Sequence, residues 1–450
     1  MYEQRNKGEK ALEEAFSPLP EDEKVLFHIP VTRRWLRQVV LALVLVCHSS
    51  MRGVSEFLRT VFDTEMSPAT VYNIIHETVP AARQINSSHD LSGIRAGAHD
   101  ELFQGGMPVL GGMDLASGYC YLLAPAEQRD ADTWGIHLLD CVKQGLNPDY
   151  TVADGGKGLR AGQALVWDDI PCFGDNFHIM QDVTALSGKL EKKAYSCIAA
   201  REKIDLRMAA AKQEGCGNRL SAQLAQARRQ ESDAIRIADN VRTLKDWLRN
   251  DILSLSGPET AVRLMLYEFV TESLRELEAD EPRIRSLRRS LENQKPQVTA
   301  FACRLDEGIS EIARQFEIPE YPVRQIVELH TRNPVSKGYY ALEKSIYRQI
   351  HRKLYLVQQE VGELLSNIHR SSSMVENLNG RLRCYFFLRR QIGPAYLDLL
   401  RFFLNHHPFV RSAHPEKTGK SPVELLTGEK HPHWLELLGF KLFKRPVQAV

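Results

Sequence analysis

The sequence predicts a mixed α/β core interrupted by a large all-α block and preceded by an all-α segment. Three observations predict it. Residues 94 to 180 hold short apolar runs separated by Gly and Ser turns, with one helical run among them. Residues 182 to 360 are rich in Ala, Leu, Glu, Lys, Arg and Gln and nearly lack strand signals. Residues 31 to 90 read as helices with clear start signals. A chain of 450 residues exceeds one small core, so several domains are expected.

Residues 1–30 are polar and proline-bearing, a loosely held lead-in. "RRWLRQVVLALVLVCHSS" and "MRGVSEFLRTVF" then read as two helices. The next starts at "SPATVYNIIHETV", with Ser67 as N-cap and Pro68 in the first helical position. Two short helices joined by a tight turn form a helix-turn-helix pattern over 31–90. Val71, Ile74 and Ile75 make its buried face, leaving Thr70, Tyr72, Asn73 and His76 free to read base edges or touch phosphates.

The first part of the core, 91–181, contains "IRAGAHDELF", "MPVLGGMDLASGYCYLLAPA" and "DYTVADGG" as strands, with "ADTWGIHLLDCVKQGL" as a helix between them. The helical block 182–360 is broken at "LSGPET", "EADEP", "EIPEYP" and "TRNPVSKG". It reads as an insertion into a core that resumes over 361–450. There "AYLDLLRFFLNHHPF" is an apolar helix, and "SPVELL" starts a short one with Ser then Pro.

Composition narrows the function. The net charge of +1 excludes a chain that wraps nucleic acid along its whole length, so any basic surface is local. The eight cysteines stand singly with no C-x-x-C pair, against a structural zinc site or a disulfide framework and in keeping with a reducing cytosol. The most apolar run, "VVLALVLVC", is too short to span a bilayer, and no signal-peptide pattern opens the chain. A cytoplasmic protein without membrane contact is expected.

One stretch is unusual. "SSSMVENLNGRLRCYFFLRR" puts a single acid, Glu376, beside two asparagines and ahead of Arg381, Arg383, Arg389 and Arg390. On a helix, Asn379, Gly380 and Arg383 share a face with Glu376, and Arg390 extends it as a phosphate track. Two further acids stand at ends of strand-like runs. Asp100 lies in "AGAHDELF", and Asp154 lies in "YTVADGGKGLRAG" with Lys157 and Arg160 beside it. Singly, each has an ordinary reading as a surface or turn acid. Together they suit phosphoryl transfer, which needs a few carboxylates converging on divalent ions about 4 Å apart and cations to hold the polyanion.

These residues resemble the bacterial insertion-sequence transposases of the DDE class, which have a ribonuclease-H-like catalytic domain. The resemblance is carried by "HDELFQGGMPVLGGMDLASGY", "TVADGGKGLRAG", "CFGDNFHIMQDV", "SSSMVENLNGRLRCYFFLRRQIG" and "FLNHHPFVRSAHPEKTGKSPVELLTG". It covers about residues 30–180 and 365–440. It implies that Asp100, Asp154 and Glu376 are catalytic and hold two Mg²⁺ or Mn²⁺ ions. It further implies double-stranded DNA as partner, both transposon ends and target, and a homodimer or higher assembly; no small-molecule substrate is expected. One strand would be cut at each end by water, and the freed 3′-hydroxyl would attack the target. Lys157, Arg160, Asn379, Arg381, Arg383 and Arg390 would contact DNA. Asp114, on the next strand-like run, is the alternative first acid, and His178 is an accessory candidate. The competing reading is a non-catalytic, sequence-specific DNA-binding protein.

Overall fold

The computed structural model describes residues 4–8, 27–153, 156–213, 220–368, 373–388, 393–412 and 414–444. The chain divides into two compact units, residues 1–78 with 432–450, and residues 79–431.

The first unit is helical. Helix α1 (Arg33–Leu45) starts where Thr32 Oγ1 accepts the Trp35 N–H, and α2 (Met51–Phe62) where Ser50 caps Gly53. Asp63 ends α2 in the left-handed region, at φ 47°. Helix α3 (Pro68–Ser88) starts as the Ser-Pro signal requires, with Ser67 Oγ accepting the Thr70 N–H at 3.1 Å. The unit boundary falls inside α3, just before Pro80, which cannot donate to the helical ladder. Leu41, Leu45, Val54, Leu58, Val71 and Ile75 are fully buried. The segment from Pro432, expected with the final part of the core, belongs to this first unit. Gln38 donates to the Lys441 carbonyl at 2.9 Å, and Trp434 is buried.

The second unit is built on one five-stranded sheet. Its strands are β1 (Ala96–Gln104), β2 (Met107–Asp114), β3 (Cys120–Pro125), β4 (Tyr150–Ala153) and β5 (Cys172–Gly174), in the spatial order β3-β2-β1-β4-β5. The first three form an antiparallel meander, because Gly105–Gly106 and a turn through Gly118, all at positive φ, allow tight reversals. β4 and β5 run parallel to β1, so each is reached by a crossover: α4 (Ala131–Val142) leads to β4 and α5 (Lys157–Val166) to β5. Those two helices cover one face, with Trp134, Leu138 and Leu159 in a core with Leu110, Tyr121 and Leu122.

After β5 the chain enters α6 (Asn176–Gln213), α7 (Ser221–Trp247) and a five-residue π turn, Leu248–Ile252. There follow α8 (Thr260–Glu278), α9 (Ile284–Gln315), α10 (Glu320–Thr331), α11 (Lys337–Ile350) and α12 (Leu354–Ser366). The four expected Pro/Gly-bearing stretches each interrupt the block, and it also breaks between Gln213 and Ser221 and at the 3-10 turn His351–Lys353, where no break was expected. Pro296 sits inside α9 without ending it. One continuous apolar core runs from Ile179 and Val183 to Val361 and Ile368. The expected start of the block, residue 182, lies within α6, which begins at the sheet and runs unbroken for 38 residues.

The chain returns to the sheet through α13 (Ser373–Phe387), packed on β1 and β2, and α14 (Pro394–His406), packed on β3. β3 is an edge strand, and Asn405 of α14, fully buried, covers it. Its amide accepts the Cys120 N–H at 2.8 Å and donates to the Cys120 carbonyl at 2.9 Å. A short helix, α15 (Pro422–Thr427), follows, with Ser421 and Glu424 forming a capping box. In the first unit, α16 (Trp434–Leu437) is the last helix among the described residues.

Candidate active site

Strand β1 points neighbouring side chains to opposite faces of the sheet, and the two acids at its centre separate accordingly. Glu101 turns toward the α4 side, where its carboxylate accepts the Trp134 indole N–H at 3.0 Å and pairs with Arg129 at 3.2 Å. Asp100 turns to the other face and is 7% exposed. Its Oδ1 accepts the Glu101 N–H at 2.8 Å, and its Oδ2 accepts the Asn379 side-chain N–H at 2.7 Å.

Asn379 therefore brings helix α13 to the strand. It is 2% exposed, where a phosphate contact was expected of it. A buried amide against a carboxylate holds that carboxylate in place; it does not reach outward to DNA. Glu376 lies on the same helix, one turn before Asn379. The side chain of Glu376 lies outside the described residues, as do Asp154 and Arg390. Gly380 is exposed with open space where a side chain would stand. Arg381 is half-buried, and burial lowers its pKa from the usual guanidinium value; Arg383 is exposed.

The carboxyl end of β4 gathers a second set of groups. The register of β1 on β4 runs to the pair His99↔Ala153, and the next residue in sequence after each partner is an aspartate. The Ala153 carbonyl accepts an Arg160 N–H at 3.3 Å and the Asp175 N–H at 3.0 Å. Arg160 is thus half-buried and turned to the strand end, while Lys157, at the start of α5, is exposed. Asp175 is 1% exposed. It accepts the Phe177 N–H at 2.8 Å at the head of α6 and meets His178 Nδ1 at 2.9 Å. His178 keeps a third of its side chain in solvent. Sequence reasoning singled out His178 but assigned Asp175 no role. An Asp just ahead of a helix, three residues before a His, was the available signal.

Behind Asp100 lies a group that the sequence did not mark. His99 is fully buried, with Nε2 2.8 Å from the Tyr121 hydroxyl and Nδ1 2.5 Å from the Gln163 amide. Trp134 and Trp167 lie on its other sides, and burial pushes its pKa down to about 3. The neutral imidazole ties β1 to β3 and α5 directly behind the site. Tyr121 in turn lies against Gly97 and Gly112, where a side chain would collide with its hydroxyl and with its ring, respectively.

Asp114, the alternative first acid, spends both oxygens on its own turn. Oδ2 accepts the Ser117 N–H at 2.8 Å and the Ser117 hydroxyl at 2.5 Å, and Oδ1 accepts the Ala116 N–H at 3.3 Å. It pairs in register with Gly97, away from Asp100, whose partner is Gly111. In the first unit, Thr70, Tyr72 and Asn73 are exposed and His76 is half-buried, with the Tyr72 and His76 rings 3.9 Å apart. Among the described residues, no three His, Cys, Asp or Glu side chains are grouped to hold a metal. Of the three expected acids, only the Asp100 side chain is described.

No protein-family model matches the chain, and no curated protein matches it. Among solved structures, the chain is similar to one from Drosophila titled "P element transposase strand transfer complex". The identity is 13% and the TM-score 0.35, over 78% of this chain and 100% of that one. A likeness of this degree assigns neither fold nor function.

Proposed function

We propose that the chain is a DDE transposase of an insertion sequence, with a ribonuclease-H-like core carrying an α-helical insertion. The observation that carries this reading is the Asn379–Asp100 hydrogen bond, 2.7 Å long between residues 279 positions apart. It seats the helix of Glu376 on the strand of Asp100. The sheet supports the same reading. Three antiparallel strands followed by two parallel ones put the ends of β1, β4 and β5 side by side, and sites in such sheets gather at those carboxyl ends. The block from α6 to α12 lies between β5 and α13, as an insertion would.

The donor set fits a hard divalent cation. Asp100, Asp154 and Glu376 would offer carboxylate oxygens, the ligand type that such an ion takes. A bound Mg²⁺ or Mn²⁺ supplies charge stabilisation and a more acidic water. The residues of the chain do the rest. Asn379 fixes the Asp100 carboxylate. Asp175 orients His178 at the head of α6. Lys157 and Arg383, both exposed, would hold phosphates, while Arg160 steadies the end of β4. Water, and then the freed 3′-hydroxyl, attacks phosphorus in line; one P–O bond forms as the opposite one breaks. In the first unit, α3 would present Thr70, Tyr72, Asn73 and His76 to DNA as a helix-turn-helix reader. Two element ends handled together would require a dimer or higher assembly.

The test is cleavage of DNA bearing the element's ends, in Mg²⁺, by wild type and Glu376→Gln. Metal-dependent cutting that disappears in the variant supports the reading. Specific binding with no cutting by either protein points to a non-catalytic DNA-binding protein. Equal cutting by both refutes the assignment of Glu376.

A further inference from the structure

The helical insertion handles charge in two ways. Along α6 to α9, many cations are paired with acids: Arg201 with Glu231 and Asp205, Arg275 with Glu272 and Glu292, Arg288 with Glu278 and Glu292, and Lys193 and Arg283 with Glu281. Residues 332–353 break this habit. They hold six Lys and Arg against one acid, Glu343, in a chain whose net charge is +1.

Helix α11 concentrates the imbalance on one side. At about 100° per residue, Lys337, Tyr340, Lys344, Tyr347 and Arg348 fall within an arc of about 100°. All five are exposed. Ile346 and Ile350, which are buried, lie on the far side and seat the helix in the insertion core. Glu343 is half-buried and lies off the outward arc, so that arc carries no acid. Among the described residues, Lys337, Lys344, Arg348 and Arg352 make no ion pair, whereas Arg332 is taken by Glu328 and Lys353 by the Phe316 carbonyl. Tyr340 and Tyr347 expose 57% and 45% of their surface, and the His351 ring stands 6.1 Å from that of Tyr347. Lys337 opens the helix, where the dipole disfavours a cation, so helix stability does not account for it.

We infer that this face of α11 is a second DNA-binding surface, holding the phosphate backbone between Lys337 and Arg348 with Tyr340 and Tyr347 against sugars or unstacked bases. Unpaired cations interleaved with exposed aromatic rings suit a polyanion that also carries flat faces. From Lys337 to Arg348 the helix rises about 16 Å, the length of roughly five nucleotide steps. The surface has no base-reading amide or acid on it, so it grips DNA without regard to sequence. The choice of DNA rests on the function proposed above; the basic face stands on its own residues.

The experiment uses the full chain without metal, so cleavage plays no part. Binding to a short mixed-sequence duplex is followed by fluorescence anisotropy between about 50 and 200 mM salt. The triple variant Lys337→Ala/Lys344→Ala/Arg348→Ala removes exposed side chains only, and its melting temperature should match wild type. Its slope of log K against log salt should be shallower by about 2.7, from about 0.9 per lost phosphate contact. Tyr340→Ser/Tyr347→Ser should weaken single-strand binding about fivefold or more per ring. An unchanged slope in the triple variant, with wild type still binding, overturns this inference and leaves the proposed function standing. So does loss of self-association at unchanged slope, which would make the face a protein interface. Failure of wild type to bind any DNA removes both.

Discussion

Acidification should loosen this protein through His99. The imidazole is fully buried between Trp134, Trp167 and Tyr121, and its pKa is about 3 against an ordinary 6.5. Burial depresses it because the charged form loses its water. Below pH 6.5 the unfolded chain takes up a proton that the folded chain refuses. Stability is therefore full above 6.5 and falls as pH drops toward 3. The slope is about 1.4 kcal/mol per pH unit, so His99 alone removes roughly 2 kcal/mol by pH 5 and roughly 5 kcal/mol by pH 3. His406, held down to about 4, loses stability over the upper part of the same window. Glu281 does not confuse the measurement. Its folded pKa is about 2 against 4.5, so its contribution is kept above 4.5 and lost only below it. Urea unfolding at pH 7 and pH 5 tests this, with wild type beside His99→Gln, which keeps a hydrogen-bonding side chain but cannot charge. The variant should lose about 2 kcal/mol less than wild type over that interval. Equal losses in the two proteins would refute the reasoning.

Three substitutions test other parts of the structure. Arg263, 1% exposed, donates to the carbonyls of Pro258, Ile252, Ser254 and Leu255 over the Phe301 ring; Arg263→Met should cost at least about 3 kcal/mol in urea unfolding, since those acceptors stay buried. Gly112→Ala would place a methyl 2.5 Å from Tyr121 Cε2 and 3.0 Å from Leu122 Cβ, and should lower stability by about 1–3 kcal/mol in thermal melts. Asn379→Leu takes away the Asp100 donor; we expect a loss of about 1.5–3 kcal/mol and loss of end cleavage, with Asn379→Gln recovering part of the cleavage.

Much of this architecture was legible because local signals were strong. Ser67-Pro68 and Ser421-Pro422 begin helices where capping chemistry requires, and all four Pro/Gly-bearing stretches interrupt the helical block. Alternation along β1 separated Asp100 from Glu101. What the sequence withheld was long-range pairing. Asn379 read as an outward polar residue, since nothing local says that it will be buried against a strand 279 positions earlier. His99 was passed over because its partners, Tyr121 and Gln163, come from other elements. Asp175 was given no role, since its contact with His178 shows only once the head of α6 is placed. The sequence also assigned the C-terminal segment to the core, because the carbonyls that meet α1 have no side-chain signature.

Helix α6 has a consequence for how such a chain can change over time. It begins beside Asp175 at the sheet and spans 38 residues with no break to absorb an error of phase. One residue added inside it would carry everything beyond about 1.5 Å further and turn it by about 100°. That would swing Ile179, Val183, Leu186 and Leu190 out of step with the partners they meet in the apolar core. Growth or shrinkage of the helical block is therefore steered to the connections between its helices. The stretch joining the sheet to the helical block behaves as a fixed gauge, its phase set by the core it packs in.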